Sequence, residues 1–130
     1  MAHNFQHQPT IRTAREVRGL RTNLFVVTIL RVDPKIGHNE IIAYFGDGTT
    51  NPRELARHWV HELKTNFGVG AEYLPAVFAD RLGWELTVSQ SDANGIHYLA
   101  VVHPGHRKSE VLDIVTEALV NYIRIPRRHQ

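Results

Sequence analysis

The chain contains no cysteine among its 130 residues. This absence excludes disulfide bonds, cysteine-ligated zinc, iron–sulfur clusters and thiol catalysis. The sequence also lacks a long hydrophobic run, since its longest near-continuous apolar stretch, 24–30, is far too short to cross a bilayer. The first ten residues are polar and rich in His and Gln, so they do not resemble a secretion signal. We therefore expect a cytoplasmic protein without a membrane span.

The charge balance of the chain is nearly neutral. Fifteen Lys and Arg residues oppose thirteen Asp and Glu residues, which gives a formal net charge of +2. That excess is too small to indicate a polyanionic partner by itself. The composition, with 42% hydrophobic and 22% charged residues, is typical of a globular protein. We expect a single domain over 1–130, with a polar N-terminal tail at 1–9 and a basic C-terminal tail at 124–130.

Local patterns along the chain predict an α+β fold. Apolar runs and alternation predict four strands, at 23–32, 40–45, 84–89 and 96–103. Helical spacing and capping residues predict four helices, at 10–22, 52–67, 74–82 and 109–123. The order α-β-β-α-α-β-β-α, with a turn at 33–37 and the hairpin signal Asn94-Gly95, predicts a four-stranded, mainly antiparallel sheet.

The predicted helix at 52–67 carries the clearest boundary signals in the chain. Asn51 is a suitable N-cap, and Pro52 is favoured at the first helical position. Glu54, three residues after the cap, completes a capping-box pattern. Gly68 suits the left-handed residue that ends a helix. These residues predict a helix that begins after Asn51 and ends at Gly68.

Apolar residues occupy both faces of the first and the fourth predicted strand, whereas a strand buried on one side only should alternate. The second face of the sheet must therefore be covered by the helix predicted at 10–22, by a second copy of the chain or by another protein. The last predicted helix also has a wide apolar arc, of about 180°. We predict a non-enzymatic protein-association or assembly module that forms a homo-oligomer or docks on a protein partner. The predicted interface consists of Phe25, Val27, Ile29, Ile42, Tyr44, Leu99 and Val101.

An alternative function is nucleic-acid binding by an arginine-rich helix. Arginines recur every three residues in 10–22, and they spread over about half of the helix surface beside the apolar stripe. Such a flank suits contacts with backbone phosphates, although a solvated helix with internal ion pairs explains it as well. No RNA-binding signature or row of aromatic residues accompanies it. The residues assigned to this alternative are Arg12, Arg15, Arg18, Arg21, Arg124, Arg127 and Arg128.

A second alternative is a metal-dependent enzyme. The helix at 52–67 places four potential ligands on the face opposite its apolar side: Glu54, His58, His61 and Glu62. Imidazole and carboxylate groups suit zinc or iron, but the HExxH motif is absent, and a solvated helix face explains the pattern as well. His103 and His106 form a further pair at the end of the fourth predicted strand. No complete catalytic motif is present, so no catalytic residue and no cofactor is indicated.

Overall fold

The computed structural model of the chain describes residues 24–122, of which the side chains at 47, 48, 121 and 122 are not described. These residues form one five-stranded antiparallel sheet with the spatial order β2-β1-β5-β4-β3. The strands are β1 (Phe25–Asp33), β2 (His38–Thr49), β3 (Ala71–Tyr73), β4 (Glu85–Ser89) and β5 (His97–Pro104). The helices are α1 (Pro52–Phe67) and α2 (Val111–Tyr122), and a 3-10 helix (Gly105–Glu110) leads into α2. The α+β class and the antiparallel sheet are therefore confirmed.

The predicted number and order of elements are wrong in detail. The sheet has five strands rather than four, because β3 is three residues long and is too short to show an alternating pattern. The segment 74–82 forms turns instead of the predicted helix. Ala76 has a φ angle of 72°, a left-handed conformation that interrupts a helix. The helix predicted at 10–22 lies outside the described residues.

Helix α1 has the bounds that the sequence predicts. The Asn51 side chain accepts a hydrogen bond from the Glu54 backbone N–H at 3.2 Å, and its amide nitrogen donates to the Glu54 carboxylate at 3.1 Å. At the other end, Gly68 adopts a φ angle of 71°, and its N–H donates to the carbonyl oxygen of Lys64 at 2.8 Å. Local capping interactions alone therefore define both ends of this helix.

One helix covers each face of the sheet. Trp59 and Leu63 of α1 pack on the face that contains Ile29 of β1. Val115 of α2 packs on the opposite face, in a cluster with Leu30 of β1. The apolar residues on the two faces of β1 and β5 are therefore covered by α1 on one face and by α2 on the other. Because 10–22 lies outside the described residues, a covering by the helix expected there stays a prediction.

Two glycines with left-handed backbone angles provide a matched test of packing at the end of the 74–83 segment. A Cβ at Gly83, where φ is 85°, would lie 2.3 Å from the ring of Phe25, whereas a Cβ at Gly68 would meet no atom within 4 Å. We expect Gly68→Ala to lower the free energy of unfolding by about 1 kcal/mol, through backbone strain alone. Gly83→Ala should cost about 1 kcal/mol more, because the Phe25 ring must also move. Urea unfolding followed by circular dichroism measures both, and equal losses would contradict the steric part of this prediction.

Candidate functional site

Strand β2 forms a long edge of the sheet. It contains 12 residues, whereas β3 at the opposite edge contains three. Among residues 24–122, β1 is the only strand that pairs with β2. The outer side of an edge strand presents backbone N–H and C=O groups that can pair with a further strand. The β2 edge is therefore a candidate surface for association.

Large apolar side chains are exposed along the same edge. Of the side chains that the structure describes, four large hydrophobic ones are exposed: Ile36 (66%), Ile41 (37%), Ile42 (39%) and Leu82 (97%). Ile41 and Ile42 lie in β2, and Ile36 lies in the turn that leads into it. Apolar side chains grouped on a surface indicate an interaction site, whereas a single one, such as Leu82, needs no such explanation.

A β-bulge separates Ile42 from the regular pairing of the strand. Leu30 of β1 pairs with Ile41, and the preceding residue Ile29 pairs with Ala43, so Ile42 is the extra residue. The alternation of β2 therefore changes phase at this point. As a result, Tyr44 lies opposite Thr28, on the α2 side of the sheet, instead of sharing a face with Ile29.

The structure divides the residues of the predicted interface between two faces. Ile29 pairs with Ala100, so Val101 lies on the other face, with Leu30. The seven residues therefore do not share one face of the sheet, because the register between β1 and β5 puts Val27 and Ile29 under α1 but Leu99 and Val101 under α2. Buried within the chain are Val27, Ile29, Tyr44, Leu99 and Val101, whereas Phe25 is partly buried and Ile42 is exposed.

His103 forms a buried polar contact between β5 and β1. Its ring is 0% exposed and lies beside the ring of Trp84, at 5.4 Å between centroids. The Nδ1 atom lies 2.8 Å from the carbonyl oxygen of Pro104, so Nδ1–H donates. The Nε2 atom then accepts from the Thr28 hydroxyl at 2.7 Å. A hydroxyl paired with an imidazole resembles a catalytic pair, but both residues are fully buried, which indicates a structural role.

Burial also makes His103 a weak base. Removal from water lowers its pKa to about 4, and the nearby positive charge of Lys108 acts in the same direction, while the hydrogen bond to Pro104 opposes the shift. The imidazole is therefore neutral at pH 7. Both ring nitrogens of His103 are engaged in hydrogen bonds, so neither offers a lone pair to a metal ion. His103 and His106 therefore do not act together as metal ligands in this structure.

The four potential metal ligands of α1 do not converge. His58 lies 3.4 Å from the carboxylate of Glu62, but His61 contacts Thr65 and Glu54 caps the helix through Asn51. Within the described part of the chain, no group of three or more His, Cys, Asp or Glu side chains could hold a metal ion. The structure thus brings together two of these four residues.

The arginines assigned to nucleic-acid binding, at 12–21 and 124–128, lie outside the described residues.

Among the helices of the described chain, none is long and apolar enough to span a membrane. Comparisons of the chain with protein-family models, with curated proteins and with solved structures give no significant match. The β2 edge is therefore the described feature from which a function is best inferred.

The lowered pKa of His103 predicts a loss of stability in acid. The unfolded chain, with an ordinary histidine pKa of 6.5, binds a proton more readily than the folded chain, whose His103 pKa is about 4. The contribution of His103 to the free energy of unfolding is therefore fully present above about pH 6.5. It decreases as the pH is lowered, by about 3 kcal/mol in total once the pH is below 4. His103→Gln should flatten this dependence in urea unfolding measured from pH 7 to pH 4. The control His58→Gln, at an exposed position, should retain it, and an unchanged pH dependence in His103→Gln would contradict the prediction.

Proposed function

We propose that this protein is a protein-association module that forms a homodimer by antiparallel pairing of two β2 edges. The observation that carries the proposal is a 12-residue edge strand with Ile41 and Ile42 exposed on it. Pairing centred on Ile41 and Ile42 would add backbone hydrogen bonds at this part of β2 and remove the two side chains from water.

The symmetry of a homodimer suits this edge. A two-fold axis perpendicular to the sheet places the same strand of each copy side by side in antiparallel orientation. With the axis near Ile41 and Ile42, the isoleucines of both copies meet at the centre of the interface. The two five-stranded sheets then form one continuous sheet across the dimer.

The composition of β2 lacks two residue types that commonly block pairing between edge strands. Edge strands are commonly protected by Lys or Pro, and β2 contains neither. Its protection consists of the bulge at Ile42 and of a second register shift between Phe25 and Val27 of β1. Glu40, whose carboxylate lies 3.3 Å from the ring of His38, is the one acidic residue next to Ile41 and Ile42 in the strand.

Substitution of the β2 isoleucines tests the dimer. We expect light scattering coupled to size-exclusion chromatography to give twice the 14.9 kDa chain mass at high micromolar concentration. Ile42→Lys should convert the dimer to a monomer, since a lysine in the interface leaves a buried charge without a partner. Circular dichroism verifies that the variant remains folded.

Leu82→Lys is the matched control, because Leu82 is 97% exposed and lies outside β2. Its mass should stay that of the dimer. The proposal is overturned if the unmodified chain is a monomer at high micromolar concentration, or if Leu82→Lys dissociates the dimer as effectively as Ile42→Lys. A stable dimer that Ile42→Lys leaves intact would show that association uses a surface other than β2.

A further inference from the structure

A cavity of about 180 Å³ lies beside β3 and β4, at the end of the sheet away from β2. The turns at 75–84 form much of its wall, and Arg53 from the first turn of α1 completes it. Phe78 and Trp84 provide an aromatic part of the lining, with ring centroids 5.9 Å apart. A cavity of about 150 Å³ holds a benzene molecule, so this space suits a ligand with one small ring.

Tyr73, Glu85 and Arg53 form a polar part of the lining. The hydroxyl of Tyr73 donates a hydrogen bond to the Glu85 carboxylate. The guanidinium of Arg57 lies 5.4 Å from the centroid of the Tyr73 ring, within the range of a cation–π contact. Burial and the neighbouring Glu85 raise the pKa of the Tyr73 hydroxyl, and the positive charge of Arg53 opposes this rise. Tyr73 is therefore held in place between a carboxylate and two guanidinium groups.

The charge of the cavity lining is positive. Arg53 and Arg81 line the cavity together with one carboxylate, that of Glu85. Arg81 also borders a neighbouring groove against α2, where Asp80 and Glu117 are part of the lining; neither carboxylate lines this cavity. In the part of the chain that the structure describes, no ion pair within 4.0 Å includes Arg53 or Arg81. A concave surface with excess positive charge attracts anions.

The cavity wall also contains a strained residue. Ala76 has a φ angle of 72°, which is unusual for a residue with a side chain. Its neighbour Pro75 has a fixed φ angle and lines the same cavity. Backbone strain of this kind is found more often at ligand sites than elsewhere, because the surrounding structure must be built to hold it.

We propose that this cavity binds a small organic oxyanion, a carboxylate or a phosphomonoester that carries one compact apolar ring. The guanidinium groups of Arg53 and Arg81 bind the oxyanion through charge-assisted hydrogen bonds. The ring of the ligand rests against Trp84 and Phe78, as in sites where a few polar groups orient a ligand on an apolar lining. This site does not depend on pairing of the β2 edges.

The two tryptophans allow binding to be measured at the cavity itself. Trp84 lines the cavity, whereas Trp59 lies in the core on the other face of the sheet. We expect benzoate or phenyl phosphate to shift the indole N–H resonance of Trp84 saturably in ¹H–¹⁵N spectra while that of Trp59 stays constant. Benzyl alcohol, which has the ring without the charge, should not do so. The anion that saturates the shift at lower concentration identifies carboxylate or phosphate as the preferred group.

Arginine substitutions test the proposed contacts. Arg53→Gln and Arg81→Gln should each raise the dissociation constant of the better anion about tenfold, the typical effect of losing a charge-assisted hydrogen bond. Lys35→Gln removes the same charge from an exposed turn and should leave binding unchanged.

Three results would overturn the site: no saturable Trp84 shift at millimolar anion, equal binding of benzyl alcohol, or equal weakening by Lys35→Gln. The mass of the protein, measured for the same variants, should not change. Failure of the anion site is thereby distinguished from failure of the β2 dimer.

Discussion

The fold depends on the burial of two central strands from both sides. Ile29 and Leu30 are adjacent in β1, point to opposite faces of the sheet and are both 0% exposed. Such strands are stable only if a layer covers each face, because an apolar face exposed to water lacks the favourable free energy of burial. Helices α1 and α2 supply the two layers. The edge strands and the turns at 74–84 are then left at the margins, where both candidate interaction surfaces lie.

The sequence predicts the elements that local interactions determine. Helix α1 has its predicted bounds because Asn51 and Gly68 act on neighbouring backbone groups alone. The segment 74–82 shows the opposite case, since its apolar spacing resembles a helix although Leu82 is 97% exposed and Ala76 is left-handed. The apolar character of 74–82 serves contacts with the rest of the fold, as for the buried Phe78 in the α2 core, and these contacts lie far apart in the chain.

The candidate sites are harder to predict from the sequence than the fold is. Apolar residues on both faces of β1 correctly indicated two covered faces, but the pairing of Ile29 with Ala100 decides which side chains share a face. The bulge at Ile42, which follows from the register with β1, carries no local signal. Tyr73, Glu85 and Arg53 have no motif spacing, and only the folded chain brings them to one cavity.

The hydrogen bond between Thr28 and His103 joins residues separated by 75 positions. The β1–β2 and β4–β5 pairs are local hairpins, but the seam between β1 and β5 closes only after the chain has enclosed a loop of that length. Closing such a loop lowers the entropy of the chain before the new contacts form. The seam therefore raises the contact order of the fold, and a higher contact order is associated with slower folding. The β1–β5 seam is thus the part of the central sheet whose closure costs the most chain entropy.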